Sequence, residues 1–258
     1  MMSALRTIAL VSFSVALTAC WDDIERTAGP DPDLELARQG RLQTTPALPT
    51  RSVPAGLSTQ RLTENGRPFG VYVPQGYAAG VPAPLVVMLH GRGQSGEAMA
   101  FDFQRFADSS GVVVVAPNSR AVTWDLILQD VGFDVAHLDG VLRWVFDHIN
   151  VDPARLTLAG FSDGATYATW LGLRNGTLFG KVAVFSGCAT LPGGRVGRPA
   201  IYVTHGLNDT AFPIAGCAKL LVPGLVERGY ATEYVEYDGG HLIPVEVADD
   251  VFDWIARR

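Results

Sequence analysis

Seven short apolar runs, each bounded by Gly, Pro or Asn, constrain this chain more than any other feature. They are Phe69–Pro74, Leu85–His90, Val112–Ala116, Arg155–Phe161, Val182–Ser186, Ala200–Thr204 and Glu233–Tyr237. Several are apolar without strict alternation, as strands buried on both faces must be. Between them lie stretches with helical spacing. In Ser95–Ser109 a stripe carries Met99, Phe103 and Phe106; in Asp134–Asn150 it carries Val135, Leu138, Leu142, Val145 and Ile149. Gly164–Arg174, Ile214–Arg228 and Val245–Ala256 are the others. Strands alternating with helices imply βαβ units, hence an α/β fold with a mostly parallel central sheet flanked by helices. Thr59–Glu64 is expected to lead in as an antiparallel partner of Phe69–Val73, across the turn signal Asn65-Gly66.

The first residues read as an address. Arg6 precedes an eleven-residue run, TIALVSFSVAL, too short to span a bilayer and of the length of an export-signal core. Leu17-Thr18-Ala19-Cys20 resembles a bacterial lipobox, which predicts a signal peptide over 1–19, a lipid on Cys20 and attachment to the cell envelope. An ordinary signal cut near Ala19, giving a secreted or periplasmic soluble protein, is the alternative. Trp21-Asp22-Asp23 ends the apolar run too abruptly for an uncut anchor. Five prolines and six acidic residues between Trp21 and Ser58 predict a disordered tether over 20–58. The folded domain is then expected over 59–258, the usual size for one domain.

Charge narrows the partners. The formal net charge is -6 and the only lysines are Lys181 and Lys219, so an electrostatic grip on nucleic acid is not expected. Three scattered cysteines make neither a zinc site nor a disulfide scaffold. Cys188 and Cys217, however, each follow a strand that ends at the same sheet edge. A disulfide between them would need a Cα separation of ~4.4–6.8 Å; two free thiols are the alternative.

Ligand sites in parallel sheets lie beyond the carboxyl ends of the strands. There the chain places His90-Gly91-Arg92-Gly93, Ser162-Asp163-Gly164, His205 to Asp209, and His241. Gly160-Phe161-Ser162-Asp163-Gly164 has the G-x-S-x-G pattern between a predicted strand and a predicted helix, the context of a nucleophile on a tight turn. A serine capping that helix would read the same way. A serine hydroxyl needs a base. His241, in the loop Asp238-Gly239-Gly240-His241, is the best placed. His137 and His148 share a helix as surface or packing residues, and His90 and His205 end strands as supports. Asp209 is the candidate to orient the base, with Asp238 as rival and an Asx turn as its structural alternative. The order Ser162, Asp209, His241 is that of α/β-hydrolases. Oxyanion donors are expected from the backbone N–H groups of Asp163 and Arg92. Trp124, Tyr167, Phe212 and Ile243 are candidate pocket residues.

The segments LVVMLHGRG, VDPARLTLAGFSDGATYATWLGLRNGTLFGKVAVFSG, HGLNDTAFPI and YDGGHLIP occur in one order over about two-thirds of the chain. In this the chain resembles the phospholipase/carboxylesterase branch of the α/β-hydrolases, near poly(hydroxyalkanoate) depolymerase-like and feruloyl-type esterases. The resemblance implies hydrolysis of carboxylic esters by Ser162, Asp209 and His241 through an acyl-enzyme, with no cofactor and no metal. Asp163 stands where many relatives have Gln or Asn, and Arg92 where an apolar residue is common. A non-catalytic envelope binding protein, or a peptidase or acyltransferase on the same triad, are the alternatives. The short, Gly- and Pro-broken connection between Ser186 and Ala200 leaves no room for a helical cap. The expectation is an open cleft, rimmed in part by the segment 117–134, acting on small accessible esters.

Overall fold

Residues whose side chains alternate between two apolar faces assemble the sheet. The computed structural model describes residues 32–258 apart from 190 and 192. The expected signal peptide and Cys20 lie outside the described residues. Eight strands run β1 (Gly56–Arg61), β2 (Pro68–Val73), β3 (Ala83–Leu89), β4 (Val113–Pro117), β5 (Val151–Phe161), β6 (Lys181–Phe185), β7 (Ala200–Gly206) and β8 (Thr232–Tyr237). Their order across the sheet is β1-β2-β4-β3-β5-β6-β7-β8. β2 pairs antiparallel with both β1 and β4, and every later pairing is parallel.

The helices are α1 (Pro32–Arg38), α2 (Gly96–Asp102), α3 (Gln104–Ser110), α4 (Phe133–His148), α5 (Asp163–Arg174), α6 (Ala218–Glu227) and α7 (Val245–Ala256). On β3, Leu85, Val87 and Leu89 face one core with Leu138 and Leu142 of α4 and Leu171 of α5. Val86 and Met88 face the other, with Met99, Phe103 and Phe106 and with Val251, Phe252 and Ile255 of α7. The sheet is therefore covered on both sides, which is why its central strands carry no polar face. The helical stripe Ser95–Ser109 is in fact two helices. They break at Phe103, whose φ of -94° and ψ of 0° end α2 and begin α3. The lead-in strand lies three residues earlier than the sequence suggested, at Gly56–Arg61.

The tether reading of 20–58 is corrected from Asp33 onward. Asp33–Arg258 forms one compact unit, so the domain begins well before residue 59. The stretch after α1 is a strap whose backbone N–H groups are taken up by distant side chains. Leu42 N–H donates to Asn175 Oδ1 at 3.0 Å. Gln43 and Thr44 N–H both donate to Asp139 Oδ1, at 2.8 and 2.9 Å. Asn175 returns two bonds, to Gly40 O and Leu171 O, each 2.8 Å. Ala37 and Val53 are buried. Composition marks this stretch as solvated because its partners lie about a hundred residues away in sequence.

Asn175→Ala would leave the Leu42 N–H and the Gly40 carbonyl without those partners. The expected loss is about 1–3 kcal/mol in urea unfolding, with faster proteolysis between residues 41 and 54. Unchanged stability and cleavage would mean that the strap is held by other contacts.

Candidate active site

The turn after β5 carries the site. Ser162 has φ 56° and ψ -123°, a conformation costly for any side-chain-bearing residue. It fits because its flanks are bare. A Cβ on Gly160 would lie 2.3 Å from Gly164 O, and one on Gly164 would lie 2.3 Å from Leu89 O of β3. The Ser162 N–H donates to Phe185 O of β6 at 3.0 Å, and its carbonyl accepts from Thr166 N at 3.1 Å. The hydroxyl is thereby raised at the sheet edge over the start of α5.

His241 comes back from the loop after β8. Its Nε2 lies 2.8 Å from Ser162 Oγ and its Nδ1 2.7 Å from Asp209 Oδ2. A carboxylate can only accept, so Nδ1 carries the proton and Nε2 offers its lone pair to the hydroxyl. The ring sits against Phe161 at 4.8 Å and Phe212 at 5.3 Å between centroids. Asp209 has no exposed side-chain surface. Its Oδ1 accepts the N–H groups of Ala211 and Phe212, at 2.9 and 2.8 Å. The residue makes the Asx turn and orients the histidine with its other oxygen. The rival Asp238 instead accepts from Asn208 Nδ2 at 2.8 Å.

The loops are joined by backbone bonds. Asn208 N–H donates to Gly239 O and Leu207 N–H to Tyr237 O, both at 2.9 Å. Tyr237 Oη donates to Leu242 O and lies 3.0 Å from Ser186 Oγ, so it anchors the histidine loop. Nothing in the sequence marked Tyr237; a tyrosine ending a strand reads as core. His205 Nε2 lies 2.7 Å from Phe212 O, and so carries a proton and steadies the acid loop. His90 is likewise a support. Its Nδ1 donates to Gly91 O at 2.7 Å and its Nε2 accepts Ser119 N–H at 3.0 Å.

Three of the four pocket candidates lie off the cleft, and two of them are core residues. Trp124 and Tyr167 are fully buried in the core beneath the site, with ring centroids 5.1 Å apart. Trp124 donates its indole N–H to His90 O at 2.8 Å, so it supports the loop and does not meet substrate. Aromatic size is as useful in a core as in a pocket, and sequence alone does not separate the two. Ile243 does line a cleft of about 530 Å³ beside His241, with Gln94, Met99, Phe103, Phe106 and Phe161. Phe212 flanks the His241 ring instead of lining that cleft. Among the described residues no helix stands between β6 and β7, in keeping with an uncapped site. Cys188 and Cys217 are joined in a disulfide, with Cα atoms 4.4 Å apart. The bond ties the loop after β6 to the start of α6.

The model of the Esterase family, described as "Putative esterase", matches residues 60–198. The chain belongs to this esterase family. It is 31% identical over 212 residues to feruloyl esterase C of Emericella nidulans, covering 69% of this chain and 77% of that protein. It is also 30% identical over 154 residues to a bifunctional acetylxylan esterase/xylanase of Neocallimastix patriciarum, covering 56% of this chain and 22% of that protein. Among solved structures, esterase PE8 shares the fold with a TM-score of 0.60 and 24% identity, covering 78% of this chain and 98% of that one. A ferulic acid esterase of Anaeromyces mucronatus does so with a TM-score of 0.61 and 19% identity, over 84% and 97%. The esterase is thus an α/β-hydrolase that hydrolyses carboxylic esters, and the binding-protein alternative falls away.

Two histidines predict an acid limit for the esterase. Burial holds His90 below its ordinary value of 6.5. Burial, with the charge of Arg67, holds His137 at about 3. Both bind protons more readily in the unfolded chain, so their stabilisation is complete above pH 6.5 and is lost as pH falls toward the folded values. Urea midpoints should drop between pH 6.5 and 4, and His137→Gln should flatten that slope. An identical slope in the variant would assign the acid limit elsewhere.

Proposed function

We propose that Ser162 is the nucleophile, His241 the general base and acid, and Asp209 the carboxylate that orients it. The observation that carries this is the continuous chain from Ser162 Oγ to His241 Nε2, 2.8 Å, and from His241 Nδ1 to Asp209 Oδ2, 2.7 Å. Ser162 Oγ attacks the ester carbonyl carbon as its proton passes to His241. The imidazolium is stabilised by Asp209, which stays ionised. The oxyanion is received by the N–H groups of Asp163 and Arg92. The proximity of their loops supports this: a Cβ on Gly91 would lie 3.3 Å from Ser162 Cβ. His241 then protonates the leaving alcohol, and it activates the water that frees the acid from Ser162.

The acyl group or the alcohol occupies the cleft beside His241. Its volume falls within the range of small-molecule pockets, and Phe103, Phe106 and Phe161 give it an aromatic wall. That wall supports small acyl groups up to the size of the aryl acids in the names of the feruloyl esterase relatives. Long alkyl chains gain little, because an uncovered cleft keeps part of each added CH₂ in water and forfeits part of its ~0.8 kcal/mol.

The chain is exported and lipid-anchored through Cys20. The lipobox-like Leu17-Thr18-Ala19-Cys20 and a disulfide suited to an oxidising compartment support this. Among the described residues no helix is long and apolar enough to cross a membrane.

Ser162→Ala should remove nearly all hydrolysis of 4-nitrophenyl acetate with the fold intact, and Asp209→Asn should cost roughly 10⁴ in turnover. Parental turnover in Ser162→Ala would overturn the mechanism. Acetyl, butyryl and feruloyl esters should react below any micelle threshold, while a rise only above it, with no acetyl turnover, would mean that a lid exists. An ester panel set beside matching amides, with an added alcohol acceptor, separates hydrolysis of esters from peptidase and transferase chemistry. Mass spectrometry of the mature protein should find an N-terminus at a lipid-modified Cys20, lost in Cys20→Ser; an unmodified N-terminus elsewhere would reject the anchor.

A further inference from the structure

Arg92 and Asp163, whose backbone N–H groups are the proposed oxyanion donors, also meet through their side chains. Arg92 Nε lies 3.1 Å from Asp163 Oδ2. The same oxygen accepts the Thr123 hydroxyl at 2.8 Å. The Asp163 side chain is 7% exposed and that of Arg92 55%. Thr123 is buried in the loop that follows β4. That loop is bound to the Arg92 loop twice more, by Gly93 N–H to Val122 O at 2.8 Å and by the Trp124 indole to His90 O. Three segments therefore converge on one carboxylate: the loop after β3, the loop after β4, and the first residue of α5.

The position of this carboxylate poses an electrostatic problem. Asp163 is the residue whose backbone N–H is assigned to the oxyanion, so its side chain places a negative charge within a few bonds of where negative charge develops. In a largely buried site such a repulsion acts at low dielectric and bears on the transition state more than on the neutral substrate. A carboxylate on the first residue of a helix is favoured by the helix dipole, which explains its retention there but not its effect on the reaction.

We propose that Arg92 is a positioning residue that acts through Asp163, neutralising its carboxylate beside the two backbone donors of the oxyanion site. The pairing of the Arg92 and Asp163 side chains leaves no uncompensated charge beside the assigned donors. Thr123 fixes the carboxylate from the buried side. The inference rests on the assignment of Ser162 as nucleophile and of these two N–H groups as donors.

The test is a double-variant cycle read as kcat and KM on 4-nitrophenyl acetate. Arg92→Met should lower kcat by roughly 10- to 100-fold, less than or equal to the loss of an oxyanion donor. KM should move by less than about threefold, since the ground state carries no charge at the carbonyl oxygen. Adding Asp163→Asn to Arg92→Met should raise kcat above that of Arg92→Met alone, because the unpaired carboxylate is gone. A merely structural clamp predicts the reverse, a double variant no faster than the single one, and that result would overturn the proposal. So would parental kcat in Arg92→Met. Should Arg92→Met fail to fold, Arg92→Gln enters the same cycle. Ser162→Ala is run alongside: turnover there removes the underlying assignment, whereas an inactive Ser162→Ala with a double variant no faster than the single one removes only the role of Arg92.

Discussion

The positive φ of Ser162 is the constraint on which the rest of the site depends. A residue held there costs of the order of 1–3 kcal/mol and persists only where its surroundings leave no alternative. Here β3, β5 and β6 supply those surroundings. Gly160 and Gly164 are in backbone contact, Gly164 lies against Leu89 O, and Ser162 N–H is bound to Phe185 O. The parallel register that places Leu89 beside Gly160 and Phe161 beside Phe185 brings these groups together. The geometry of this turn is thus a consequence of strand pairing, with the strain offset by the burial of a sheet covered on both faces.

Around that turn, buried polar groups do the work of fastening loops. Asp134 accepts from Arg120 N–H at 2.7 Å and Asp125 N–H at 2.8 Å and pairs with Arg67. Asp125 in turn accepts from Gly132 and Asp134 N–H groups, at 2.9 and 2.8 Å. These two carboxylates fold the segment between β4 and α4, which carries Thr123 and Trp124 to their places under the site. Burial raises the Asp125 carboxyl above its ordinary range even with those donors. Both carboxylates are held by backbone N–H donors of that segment, Asp125 through Oδ2, so truncating one would release a loop as well as a bond.

Along the chain, function was legible where the chemistry demands particular residue types at particular junctions. A serine in a G-x-S-x-G turn, after a strand and before a helix, admits few readings. An acid and a histidine past the next strands complete it in order. The central strand runs were legible because burial on both faces leaves them almost wholly apolar, whereas β8, with Glu233 and Glu236, lies at the sheet edge. The strap was not, because Asp139 and Asn175 satisfy its backbone from far along the chain. Trp124 and Tyr167 were not, because an aromatic side chain packs equally well in a core or a pocket.

The sequence by itself determined the fold class, the order of the proposed catalytic residues, the shortness of the connection between β6 and β7, and the two cysteines available for pairing. Each follows from local pattern, since spacing, turn chemistry and periodicity act over a few residues. Only the tertiary structure decided which aspartate faces His241, how Tyr237 and His205 hold the loops, and that Cys188 meets Cys217. It alone joined Arg92 to Asp163. The meetings of Asp209 with His241, Cys188 with Cys217 and Arg92 with Asp163 depend on strand order and register, which bring together groups about thirty to seventy residues apart in the chain, and no local pattern encodes that distance.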